Sequence, residues 1–207
     1  MTKTEARHTF ARWAAGNALV YLLAFLTVTI LAKLSPTPTA NIATAWFSVV
    51  KATGIRQVTE FSVRYDAFVH VLQRNTLSTF LQLLSGSLGV APISLGVLGA
   101  FYGLVVFAKP LSGTSLSTID ASLIISEGLA FILAASLSST ISSYMFGIEP
   151  GFGKVWFRSL LKASRSNFRT NQGWRPTLMK YAWLIASVSS IIVLSLLTGA
   201  WIEAVSY

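Results

Sequence analysis

Glu127 is the residue whose type and position could most readily do chemistry in this chain. It is the only charged residue in the apolar run 121–146. A carboxylate at the centre of a membrane helix costs about 2.5–3.5 kcal/mol on insertion scales, and less near an interface. Such a side chain faces the interior of a helix bundle or a wet cavity. Three roles suit it: a structural hydrogen bond, for instance to the Tyr102 hydroxyl or a serine, with the acid charged or protonated; a place on an ion, proton or substrate passage; or a contact with a partner subunit. Other reactive groups are sparse. The chain has two histidines and no cysteine, so it makes no disulfide, thiolate metal site or cysteine nucleophile. His8 lies in the N-terminal arm. His70 is the one position where a haem or pigment could be ligated, although a lone interfacial histidine is ordinarily solvated. Spacing reveals no serine–histidine–carboxylate set and no phosphate loop. The chain therefore reads as a non-enzyme without cofactor or metal.

A second group could act on charge alone. Lys154, Arg158, Lys162, Arg165 and Arg169 recur every three or four residues, which makes one stripe if the segment is helical. Val155, Trp156, Leu160, Leu161 and Phe168 fall largely off that stripe. A helix with a basic face and an aromatic-aliphatic face lies in the headgroup plane and attracts anionic lipid. The alternative is docking of a cytoplasmic partner, such as an ATPase or an acidic subunit.

The elements that must position these groups are membrane helices. The chain is 53% hydrophobic and 11% charged over 207 residues, well away from the roughly 25% charge of soluble domains. Residues 147–180 carry seven basic residues against Glu149, net +6, and residues 1–12 carry three against Glu5, net +2, out of +9 in all. The basic residues flank apolar runs, so retention beside anionic headgroups explains them and nucleic-acid binding is not expected. Four apolar regions stand out: 13–34, 76–108, 121–146 and 181–202. The first, at about twenty residues, exceeds the roughly 7–15 of a signal sequence and reads as a retained anchor. The second is too long for one crossing, and its centre, Ser85-Gly86-Ser87-Leu88-Gly89-Val90-Ala91-Pro92, has the punctuation of a break. Splitting it puts both basic stretches on the same side, in keeping with the positive-inside rule.

The expectation is an all-α, polytopic membrane bundle in a single domain, 1–207. It has about five transmembrane helices, a broken helical hairpin made by the second and third, and amphipathic interfacial helices. The N-terminus (arm 1–12) and the basic segment 147–180 face the cytoplasm of a cell membrane. The loop 35–75, with apolar residues from Trp46 to Val63, and the C-terminus lie outside; the second helix is short unless it begins earlier, around Phe68. Small residues should mediate packing: Gly86 and Gly89 at the break, Gly99 and Gly103 on the third helix, Ala182, Ala186 and Ser190 on the fifth, and the serines of the fourth, from Ser122 to Ser143.

The stretches FVHVLQRNTLSTF (68–80) and GSLGVAPISLGVLGAFYG (86–103) resemble the stage II sporulation protein M family. Asn75 matches that family's helix-opening asparagine, Gly86 and Gly89 its turn, Gly99 and Gly103 its glycine pair, and Glu127 its acid. Ala130 and Ala134 suit the continuation after that acid. The likeness spans about residues 68–145. The family's His-Gly before the acid is Leu123-Ile124 here, and an asparagine before its third-helix glycine is Leu98. The resemblance implies a multi-span membrane protein working in a complex, with no sporulation role carried over. Two functions follow as expectations: a non-catalytic subunit of a multi-protein membrane complex, acting in assembly or scaffolding with other membrane proteins, or a permease-type component of an ATP-driven transporter with Glu127 lining a passage.

Overall fold

The computed structural model describes residues 3–52, 63–111, 118–150, 153–165 and 174–206. Among these it has seven helices and no strand: α1 (Lys3–Leu34), α2 (Pro36–Ala52), α3 (Arg64–Ser87), α4 (Ala91–Leu111), α5 (Thr118–Phe146), α6 (Lys154–Arg165) and α7 (Trp174–Ser206). Three are long and apolar enough to cross a membrane, over Thr4–Leu34, Ala121–Phe146 and Tyr181–Val205, and α4 adds the shorter apolar stretch Ala91–Phe107. The protein is an all-α, membrane-embedded helix bundle.

Its polarity is arranged for lipid. Leu22, Leu26, Phe80, Ile125 and Leu194 are exposed on the flanks, whereas Asn17, Asn75, Gln82, Glu127, Ser136 and Thr140 are buried. Polar groups in a bilayer find partners only within protein, so they turn inward while aliphatic side chains cover the outside.

α5 is the central element and packs against α1, α3, α4 and α7. It runs parallel to α3, with Glu127 beside Asn75 at one end and Ser142 donating to the Ser87 carbonyl at the other. It runs antiparallel to α1, where Trp13 meets Ser143 and Asn17 meets Ser136, and antiparallel to α7, where Tyr144 stacks edge-on against Tyr181. Consequently the N-terminal part of α1, the α3–α4 turn, the end of α5 and α6 gather at one end of the bundle. There Trp13, Ile148, Trp156 and Ala163 form one cluster, and Arg7 lies 5.1 Å over the Trp183 ring. The start of α3 and the end of α7 lie at the opposite end, joined by Ala67, Val71, Ala200 and Ala204.

The break in the second apolar region falls at Gly89, whose φ of 76° closes the turn between α3 and α4. Glycine enters that left-handed region without the Cβ penalty. A Cβ there would also lie 2.6 Å from Ile148 Cδ1, so that side chain would have to shift.

Three helices begin earlier than the spans read in the sequence. α3 starts at Arg64, so 64–75 is helix rather than outer loop and Asn75 lies well inside it. Arg74, on the same helix, is paired with acids from α5 and α7. α1 is helical from Lys3, so the arm continues the first span. α7 is helical from Trp174, ahead of its apolar span, which itself starts at Tyr181. In the loop, α2 is helical as expected; residues 53–62 and Arg169 lie outside the described part, as do the side chains of Trp46 and Phe47.

Candidate functional site

The site around Glu127 is assembled from four helices. Glu127 on α5 is 4% exposed. Asn75 of α3 donates through Nδ2 to its Oε1 at 2.6 Å, and the Tyr102 hydroxyl of α4 donates to its Oε2. Arg74, also of α3, places Nη2 3.7 Å from Oε1. The same nitrogen makes a 2.7 Å ion pair with Oε2 of Glu203, near the end of α7. Asn75 also accepts from Arg74 Nε, at 3.4 Å, so it links guanidinium and carboxylate.

Local structure explains the convergence. Glu127 is followed by Gly128, and the Tyr21 hydroxyl of α1 sits 3.0 Å from where a Gly128 Cβ would be. Gly199 leaves room on α7, its Cβ position being 3.6 Å from Glu127 Cγ. With glycine on either side, α1 and α7 close around the acid. The Tyr21 and Tyr102 rings, 6.2 Å apart, cover it from α1 and α4.

Both carboxylate oxygens of Glu127 are engaged in hydrogen bonds, and the Arg74 guanidinium stands beside one of them. Buried charge is tolerated when paired and hydrogen-bonded in this way. Chemically the arrangement ties α3, α4 and α5 together and, through Arg74 and Glu203, α7 as well. Tyr102 is the partner expected from the sequence. Arg74 and Glu203 were not singled out there, although two further charges close to apolar spans were a usable signal.

Two polar rows flank α5. On α3, Thr79, Gln82 and Ser85 continue from Asn75, and Ser94 of α4 donates to Gln82 Oε1 at 2.8 Å. On α1, Trp13 Nε1 donates to Ser143 Oγ at 2.6 Å and Asn17 Nδ2 to Ser136 Oγ at 3.0 Å. Along this second seam Asn17 Oδ1, Tyr21 Oη and Ser139 Oγ are buried without a partner.

The glycines of α3 and α4 lie where helices approach closely. A Cβ on Gly86 would lie 2.0 Å from Ser138 Oγ, and one on Gly99 would lie 2.2 Å from the Tyr21 carbonyl oxygen. One on Gly103 would lie 2.7 Å from the Phe25 carbonyl oxygen. The stripe on α7 behaves otherwise. Ala182, Ala186 and Ser190 are exposed, and Ser190 donates to the Ala186 carbonyl of its own helix. The face of α7 that packs inside the bundle is Tyr181, Leu184, Val188, Ile192 and Leu196, whose larger side chains fill the space beside α5.

In α6, Lys154, Arg158, Lys162 and Arg165 are all exposed, while Trp156 and Ala163 are buried. Trp156 Nε1 donates to the Gly89 carbonyl at 2.9 Å, so the ring turns into protein rather than lipid. His70 is half-buried one turn before Arg74, and His8 is exposed at the other end of the bundle. Among the described residues no group of three His, Cys, Asp or Glu could hold a metal ion.

Fold and site together define a polytopic α-helical membrane protein with an internally compensated acid. No protein-family model, curated protein or solved structure matches the chain.

Proposed function

We propose that this protein is a non-catalytic integral membrane subunit of a multi-protein complex, acting in assembly or scaffolding. The observation that carries this reading is the saturation of Glu127: both oxygens are engaged by Asn75 and Tyr102, with Arg74 alongside. The acid best placed for transport chemistry is thereby used to hold helices in register. A subunit of this kind sits in a cell membrane with its N-terminus and α6 on the cytoplasmic side and its C-terminus outside, the arrangement that the positive-inside rule favours. Its partners are other membrane proteins.

The test is Glu127→Gln. A hydrogen bond to a charged group contributes about 1.5–3 kcal/mol, so the neutral variant should melt earlier in detergent and recover less complex. Normal melting and normal complex recovery would contradict the reading.

One observation favours a second reading, a permease-type component served by a cytoplasmic ATPase. Asn17 Oδ1, Tyr21 Oη and Ser139 Oγ lack partners along the α1–α5 seam, and unsatisfied buried groups of this kind are destabilising unless water reaches them. On that reading Glu127→Gln abolishes flux and leaves assembly intact.

A further inference from the structure

We infer that the outward face of α6 is a binding site for anionic phospholipid headgroups, seated at the edge of the bundle. The apolar stretch of α4, Ala91–Phe107, is about 25 Å of helix and covers most of a hydrocarbon core of about 30 Å. It follows directly on the turn at Gly89. That turn's carbonyl receives the Trp156 indole, so α6 is held where the hydrocarbon ends and the headgroups begin.

Orientation is fixed next. Trp156 and Ala163 are buried against Trp13 and Ile148, with Leu160 packed onto them. At 100° per residue, Lys154, Arg158, Lys162 and Arg165 span about 80° of the helix, centred about 150° from the buried side. None of the four forms an ion pair among the described residues. The helix cannot roll its apolar side into the bilayer, because that side is already packed on the bundle.

Along one edge of the stripe stand Phe157 and Leu161, 53% and 41% exposed. They lie one turn apart and beside Arg158 and Arg165. Exposed aromatic and aliphatic side chains next to free cations at headgroup depth suit a lipid: phosphate on the cations, upper acyl chain on the apolar edge. An aqueous acidic protein would match the cations and leave Phe157 in water, so the lipid is the occupant.

The test uses the full chain purified in detergent, titrated with phosphatidylglycerol or phosphatidylcholine and followed by native mass spectrometry. Wild type should retain phosphatidylglycerol in preference. Each cation at an anionic surface contributes about fivefold, so Arg158→Gln or Arg165→Gln alone should cut the preference about fivefold. The four-site variant (Lys154→Gln, Arg158→Gln, Lys162→Gln, Arg165→Gln) should nearly abolish it. Raising salt from about 0.1 M to about 1 M, which shortens screening from about 10 Å to about 3 Å, should weaken it as well. A control, Arg7→Gln with Arg12→Gln at the same end of the bundle, should leave most of the preference. The single-site variants are exposed and keep the assignment testable if the four-site variant does not fold. Three results would overturn it: no preference in wild type, loss of preference in the α1 control but not in the α6 variants, or unchanged lipid preference in α6 variants that lose a co-purifying acidic protein.

Discussion

The α1–α4 seam carries its own internal control, because three glycines on one helix face α1 at different distances. A Cβ added to Gly99 would stand 2.2 Å from the Tyr21 carbonyl oxygen and 3.0 Å from its carbon. An ordinary carbon–oxygen contact is at least about 3.3 Å, so α1 must retreat by about 1 Å. The obstacle is backbone and cannot rotate away. At Gly103 the corresponding contact is 2.7 Å, to the Phe25 carbonyl oxygen, whereas at Gly96 it is 3.5 Å, to Val20 Cγ1. Overpacking costs about 1–3 kcal/mol, and each Gly→Ala change in a helix gains about 0.8–1.0 kcal/mol of helix propensity. Gly96→Ala should thus be neutral or stabilising. Gly99→Ala should be less stable than Gly96→Ala by about 1–3 kcal/mol, with Gly103→Ala in between. Equilibrium unfolding in mixed micelles on titration with denaturing detergent measures the series, and the gap corresponds to about 5- to 150-fold in the unfolding constant. Equal stability of the Gly96 and Gly99 variants, or the reverse order, would refute the packing argument.

Arg74→Leu strips the cation from two acids and should cost about 3 kcal/mol or more. Glu203→Gln should cost about 1 kcal/mol or less, because the outer pair is partly solvated; thermal melting in detergent compares them, and a costlier Glu203 variant would oppose the assignment. Trp156→Phe keeps the ring and removes the bond to Gly89, a loss of about 1 kcal/mol. A cysteine at Ala163, which is 3% exposed, should then react with maleimide about fivefold faster, and an unchanged rate would show that the indole bond does not hold α6. The chain has no cysteine of its own, so single substitutions report sidedness cleanly: an impermeant maleimide on intact cells should label Ser35→Cys and spare Ser164→Cys. Labelling of both, or of Ser164→Cys alone, would contradict the proposed orientation.

Much of the architecture was legible in the residues. The break at Gly89 was readable because a long apolar run punctuated by glycine and proline cannot continue as one helix, and the turn uses the backbone freedom that glycine supplies. The basic stripe was readable because a period of three to four residues survives on a surface helix. Tyr102 as a partner of Glu127 was within reach because buried acids need donors. The start of α3 was legible only as an alternative near Phe68. Arg64, Asp66 and Arg74 looked like loop charges, and the acids that compensate Arg74 come from α5 and α7, far along the chain. The packed face of α7 was hidden for a different reason. In a bilayer the lipid-facing and buried sides are both apolar, so Leu184 and Leu194 look alike in sequence although only the first is buried. The small-residue stripe Ala182, Ala186 and Ser190 lies on the exposed side of the helix, where of the two packings its spacing suits, within the bundle or between protomers, only the second is open to it. The direction of Trp156 likewise depended on the Gly89 carbonyl, a tertiary contact with no local signal.

The central claim, that the chain works as a scaffold within a larger membrane assembly, is tested most directly by purifying it from its native membrane in mild detergent and identifying what travels with it by mass spectrometry. Several membrane proteins should co-purify in stoichiometric amounts, with their recovery reduced in the Glu127→Gln variant. Recovery of the chain alone as a homo-oligomer, or with an ATPase as its sole companion, would contradict it.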